Sequence, residues 1–162
     1  MARRAGVSPT APYRHFADRE ALDNAVAVEG FRDLSADLEA ASAKLPEAAA
    51  PQEVIAALGV AYVAFALRRP AVFRLMFGNE CDEADSERVQ AAGQLHGMLN
   101  QVFERLFPGN SSLSVALWSM AHGLAFLHLD GKLRPQSNNA VAERVQSAVA
   151  AIFMLNDKTT AG

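Results

Sequence analysis

Ser111-Ser112-Leu113-Ser114-Val115-Ala116-Leu117-Trp118-Ser119-Met120-Ala121-His122-Gly123-Leu124-Ala125-Phe126-Leu127-His128-Leu129 decides the fold class. The stretch has no Asp, Glu, Lys or Arg, and its apolar residues sit on nearly every side of a helix (Leu113, Val115, Leu117, Trp118, Met120, Leu124, Phe126, Leu127). A helix that is hydrophobic all round must be buried all round. Its length would also suit a bilayer. Against that stand four serines (Ser111, Ser112, Ser114, Ser119) and two histidines (His122, His128), polar groups that are costly in lipid. The stretch therefore reads as the central helix of a bundle.

Working outward, every neighbouring segment also reads as helix. Asp18 followed by Arg19-Glu20-Ala21 is an N-cap with an acidic first turn, and its helix runs to about Lys44 before Pro46. Pro51-Gln52-Glu53 opens a second helix that carries Val54, Leu58, Tyr62, Phe65 and Ala66 up to Arg69-Pro70. A short helix, Ala71 to Phe77, ends at Gly78. The acidic run Glu80 to Glu87 leads into a long helix stopped by Pro108-Gly109. Ser111 or Ser112 is expected to cap the uncharged helix, which stops at Asp130-Gly131. Pro135 to Asn139 reads as a loop, Ala140 to about Asn156 as the last helix, and residues 158–162 as a flexible tail. Ser8-Pro9 starts one more short helix near the N-terminus. The fold class is all-α, a bundle of six or seven helices.

One molecule of this size rarely covers a helix that is apolar on all sides. The last helix, with Val141, Val145, Ala148, Val149, Ile152 and Phe153, spreads its apolar residues over a similarly wide arc. A two-fold homodimer resolves both, with Leu113, Leu117, Leu124, Val141, Val145, Ala148 and Ile152 as interface candidates. The alternative is that both helices are central in a monomer.

The chain of 162 residues is 51% hydrophobic, enough for a sizeable core. Its net charge is −3, but residues 1–20 hold Arg3, Arg4, Arg14 and Arg19 against Asp18 and Glu20. That is a local +2, leaving −5 on the rest, a basic end on an acidic body. Cys81 is the one cysteine, so no intramolecular disulfide can form, and its acidic surroundings disfavour a reactive thiolate. The opening residues contain no apolar run of the signal-peptide kind. A cytoplasmic location is expected.

The N-terminal segment carries the most specific motif. Ala5-Gly6-Val7 reads as a helix end, a Gly-permitted turn and an apolar plug. The next short helix offers small residues (Pro9, Thr10, Ala11) at its tip, followed by Tyr13, Arg14 and His15. Such a tip can enter a major groove, while the polar residues around it reach phosphates. The string resembles the second half of the helix-turn-helix of the tetracycline-repressor family, matching at Ala5, Gly6, Val7, Ser8, Tyr13, His15, Phe16, Arg19, Glu20, Ala21 and Leu22. The resemblance implies that Pro9, Thr10 and Ala11 face bases and that Tyr13, His15 and Arg19 grip phosphates, with Phe16 and Leu22 packing the small domain. With Ser8 and Arg14 these form the expected double-stranded operator DNA contact set. Pro12 replaces the family's usual Leu or Ile, at a first-turn position where one hydrogen bond is at stake. The family has further helices ahead of this string, so residues 1–30 read as a partial DNA-binding domain and residues 31–157 as a ligand-binding and dimerisation domain. The second reading is a helical ligand-binding module without DNA binding.

The body carries two more strings of the same kind. Arg69-Pro70-Ala71-Val72-Phe73-Arg74-Leu75-Met76-Phe77-Gly78 and Trp118-Ser119-Met120-Ala121-His122-Gly123-Leu124 resemble one branch of these regulators, which has a Trp-x-x-x-His-Gly signature. The resemblance implies allosteric repression, in which a small hydrophobic effector binds one of two states better and lowers operator affinity. Candidate effector-pocket walls are Tyr62, Phe65, Phe73, Met76, Phe77, Met98, Trp118, His122 and Phe126, with Tyr62 and His122 as the polar handles. No metal or other cofactor is expected. His122 and His128 are six residues apart on different helix faces, and His96 and Cys81 make no ligand spacing with them. No nucleophile–base–acid set or phosphate-cradling glycine loop points to an enzyme.

Overall fold

The structure, a computed structural model, describes residues 18–78, 86–134 and 137–160. Among these residues there are six helices and no strand: α1 Arg19–Ala43, α2 Pro51–Arg68, α3 Pro70–Gly78, α4 Ser86–Leu106, α5 Ser111–Leu129 and α6 Asn138–Thr160. The helix starts follow local chemistry. The Asp18 carboxylate accepts the Ala21 N–H at 2.8 Å. At α2 the Glu53 carboxylate reaches back to the Ala50 N–H at 2.9 Å, while Pro51 occupies a first-turn position that needs no N–H.

Three boundaries differ from the sequence expectation. The cap of α5 is Asn110, whose side-chain oxygen accepts the Leu113 N–H at 3.1 Å, so Ser111 and Ser112 lie inside the helix. Helix α6 begins at Asn138, because Ser137 Oγ takes the Ala140 N–H at 3.2 Å and starts the helix inside the expected loop. It also runs on through Asn156 to Thr160. Helix α1 is continuous through residues 30 and 31, where the two domains were expected to meet.

Helix α2 is the hub, packing against α1, α3, α5 and α6, while α4 lies mainly on α1. Its buried residues spread around the helix (Val54, Ile55, Leu58, Tyr62, Val63, Phe65, Ala66) because it has neighbours on several sides. Both α2 and α5 are long and apolar enough to cross a membrane, and here both pack within the bundle. Two glycines set the closest approaches. A Cβ at Gly59 would lie 2.9 Å from Val145 Cγ1, bringing α6 onto α2. One at Gly30 would lie 2.6 Å from Met76 Sδ and 2.7 Å from Val72 Cγ1, bringing α3 onto α1.

Polar ties add direction to this packing. Asp33 and Asp37, one turn apart on α1, pair with Arg69 and Arg68 at the end of α2. These pairs are solvent-facing and each is worth only about 0–1 kcal/mol. Arg88 of α4 is buried. It donates to Asn24 Oδ1 at 3.1 Å and to the Leu75 carbonyl at 2.9 Å, so a cation sits against the C-terminal carbonyls of α3.

Candidate functional site

The site is an aromatic cluster where α2, α3 and α5 meet. Helix α2 contributes Tyr62, α3 contributes Phe73 and Phe77, and α5 contributes Trp118, His122 and Phe126 at successive i, i+4 positions. The His122 ring lies 4.9 Å from both Phe77 and Phe126, and Phe73 lies 4.8 Å from Phe77 (centroid distances). Tyr62 meets Phe73 edge-on at 5.5 Å, and Phe65 joins the far side of Phe73 at 6.4 Å. Edge-to-face and tilted pairs of this kind add to the burial of the rings.

One polar chain runs through the cluster. Tyr62 Oη and His122 Nδ1 are 2.8 Å apart. Burial pushes the Tyr62 phenol up, out of reach of ionisation, while a hydrogen bond from Trp118 pulls it partly back. Burial also lowers the His122 pKa, favouring the neutral ring. A neutral ring beside a protonated phenol gives one consistent arrangement. Tyr62 O–H donates to His122 Nδ1, and His122 carries its proton on Nε2.

A small apolar cavity of about 30 Å³ borders Tyr62 and Trp118, walled also by Ile55, Leu58, Leu99, Phe103 and Ala121 among others. That is about the room of one water molecule, and the wall is apolar. Of the pocket residues expected from sequence, Tyr62, Phe65, Phe73, Phe77, Trp118, His122 and Phe126 come together here. Met76 is buried at the α1–α3 contact beside Gly30. Met98 stands apart, in an open groove with Arg32, Ser35, Glu39 and Gln94. Sequence reasoning did not single out Gly59, Leu99 or Phe103, which carry no chemical signature and matter only through placement.

Of the dimer candidates, Leu113, Leu117 and Val145 face the chain's own core and are almost fully covered, which corrects their assignment to an outer surface. Each lies on the side of its helix turned toward the rest of the bundle. Leu124, Val141, Ala148 and Ile152 are half-buried. Of the DNA-contact candidates, Ser8, Pro9, Thr10, Ala11, Tyr13, Arg14 and His15 lie outside the described residues. Arg19 stands exposed at the start of α1, 3.6 Å from Asp23. His128 is nearly buried. Its Nε2 lies 3.1 Å from an Arg144 nitrogen that can only donate, and burial holds the ring below the ordinary histidine value. Among the described residues no group of three or more His, Cys, Asp or Glu could hold a metal.

The family model for the tetracyclin repressor-like C-terminal domain matches residues 55–152, which take in the whole of this cluster. The chain belongs to the tetracycline repressor-like family. A solved structure of a protein of unknown function from Rhodococcus sp. RHA1 is 33% identical, with a TM-score of 0.77 over 94% of this chain and 80% of that one. A bacterial regulatory protein of the tetR family from Rhodococcus RHA1 is 19% identical, with a TM-score of 0.64 over 93% of this chain and 83% of that one, a likeness of fold. No curated protein matches the chain. This tetracycline repressor-like body thus presents an aromatic cluster with one internal polar chain and a small apolar cavity beside it. Such a cluster can recognise an apolar molecule that offers a hydrogen-bonding group.

Proposed function

We propose that this protein is a ligand-responsive transcriptional regulator, a cytoplasmic repressor that binds palindromic operator DNA as a homodimer and is released by a small hydrophobic effector. The observation that carries this reading is the family match over residues 55–152, joined to a neutral, aromatic, hydrogen-bonded cluster at the junction of three helices. The N-terminal string from Ala5 to Leu22 supplies the DNA side of the argument, with Ser8, Pro9, Thr10, Ala11, Tyr13, Arg14, His15 and Arg19 as the contact set. Tyr62, Phe73, Phe77, Trp118, His122 and Phe126 are the effector-facing set. A protein with this role needs no catalytic residues.

The dimer reading rests on surface left uncovered. On α5 the exposed side includes Val115, Ala116, Ser119 and Leu127, and on α6 it includes Ser147, Ala151 and Met154. Val115, Leu127 and Met154 are among the few large apolar side chains left exposed, at 60%, 43% and 66%. Glu143, one turn before Ser147, is the charged residue at the edge of this set, and the set's small residues permit close helix approach. A second copy would cover it by two-fold symmetry.

An anisotropy titration on duplex DNA from the protein's own promoter region, at several salt concentrations, tests the reading. The chain would be compared with a form carrying the residues encoded in frame upstream of Met1. Specific binding with a steep salt slope in either form supports the proposal. Absence of specific, salt-dependent binding in both refutes it.

A further inference from the structure

The joint between α5 and α6 holds a histidine against an arginine. His128, in the last turn of α5, is buried, and its Nε2 lies 3.1 Å from Nη1 of Arg144 on α6. Arg144 can only donate, so Nε2 accepts and the ring's proton sits on Nδ1. This bond exists only with a neutral imidazole. A proton on Nε2 removes the acceptor and sets a second positive charge in contact with the guanidinium.

The neighbouring groups do little to offset that charge. On α5, Asp130 is paired with Arg74 of α3. On α6 the nearest acid in sequence is Glu143, which is exposed, and Lys132 just past α5 is a further cation. Helix α2 packs on both α5 and α6. Its Glu53, Tyr62, Arg68 and Arg69 are held by the Ala50 N–H, His122, Asp37 and Asp33. Helix α4 meets α5 nearer its other end, through His96 and Trp118. Burial holds the His128 ring below the ordinary histidine value and Arg144 adds to this, against a backbone contact with Leu133 that favours the charged form. The C-terminal end of α5 also favours a cation, but its partial charge is smaller than the full charge of Arg144 at contact distance.

The position of the pair gives it leverage. Helices α5 and α6 each pack chiefly on α2 and touch one another less extensively. The pair sits by the turn that joins them, where Gly131 reverses the chain at φ +68° and Lys132 and Leu133 donate to the Leu127 carbonyl. Leu127, next to His128, and Ser147, one turn beyond Arg144, belong to the exposed face that would receive a second copy. That face is shared between two helices, so it matches its own copy at one α5–α6 spacing.

We propose that His128 and Arg144 form an acid-sensitive latch, in which protonation of His128 parts α5 from α6 and releases the two-fold partner. The consequence for assembly rests on the dimer reading above, while the latch itself is a property of one chain. A proton favours the parted, monomeric arrangement, and dimerisation in turn expels the proton.

Sedimentation equilibrium of the full chain at about pH 7.5 and about pH 5.5, with circular dichroism at both, tests this. The dimer should dissociate about tenfold more readily at the lower pH, since two latches act per dimer, with helix content unchanged. His128→Gln keeps an acceptor for Arg144 and has no proton to gain, so its dimer should ignore the pH change. Arg144→Gln removes the second charge and should shrink the response, while His96→Gln on α4 should retain it in full. Equal dissociation at the two pH values, a full response in His128→Gln, or loss of helix in place of dissociation overturns the proposal. A chain that is monomeric at the higher pH removes the dimer reading and leaves the latch to be read by NMR of the His128 ring. A titration midpoint below 6.5 that rises in Arg144→Gln supports the latch, and a midpoint at 6.5 or above overturns it.

Discussion

Gly30→Ala and Gly97→Ala should move stability in opposite directions, although both replace a helix-interior glycine. Alanine is favoured over glycine in a helix by about 1 kcal/mol, because it loses less backbone freedom on folding. At Gly97 a new Cβ meets nothing within 4 Å, so most of that gain should appear as added stability. At Gly30 the same atom would stand 2.6 Å from Met76 Sδ, 2.7 Å from Val72 Cγ1 and 3.0 Å from Met76 Cγ. Val72 is half-buried but β-branched and stiff in its helix, and Met76 is only 2% exposed, so the contact yields little. Overpacking of this kind costs about 1–3 kcal/mol, which outweighs the propensity gain and leaves a net loss of about 1 kcal/mol. Urea denaturation followed by circular dichroism and Trp118 emission measures both, provided the m-value holds. If Gly30→Ala stabilises the chain as much as Gly97→Ala does, the close α1–α3 contact is wrong.

The remaining predictions concern the cluster, pH and assembly. Tyr62→Phe removes the hydroxyl paired with His122, leaving the ring nitrogen without its partner, and should cost about 1–3 kcal/mol in the same denaturation assay; a neutral outcome would mean that the Tyr62–His122 hydrogen bond is not formed. His122 and His128 are both held below 6.5 by burial, so the unfolded chain binds protons first as pH falls. Their contribution is therefore complete above about pH 6.5 and is lost below it, and His122→Gln should flatten the stability–pH slope measured between pH values on either side of that point. For the proposed dimer, Ala116→Arg or Ala151→Arg places a charge on the exposed face of α5 or α6. Sedimentation should then show a folded monomer where the unmodified chain sediments as a dimer. A chain that is monomeric before substitution removes the dimer reading.

Helix content was legible in the sequence because its causes are local. Asp18, Pro51, Pro108 and the uncharged run from Ser111 to Leu129 act within a turn or two of themselves, and the structure places helix limits close to all of them. The exceptions are also local in kind. Asn110 out-competed Ser111 as a cap, and Ser137 opened α6 early, since several neighbouring side chains could each satisfy the same free amides. Part of the aromatic cluster could be anticipated too, because Trp118, His122 and Phe126 repeat at the spacing of one helix face. Tertiary structure alone decided what met that face. Tyr62 and His122 are sixty residues apart in sequence, and nothing in the pattern of either helix states that they approach within hydrogen-bonding distance. The same holds for the inward turn of Leu113, Leu117 and Val145, and for the burial of Arg88 against the end of α3. Periodicity tells which residues share a face of a helix. Which neighbour covers that face depends on how the helices divide the available apolar surface among themselves, with glycines such as Gly30 and Gly59 setting how near they come.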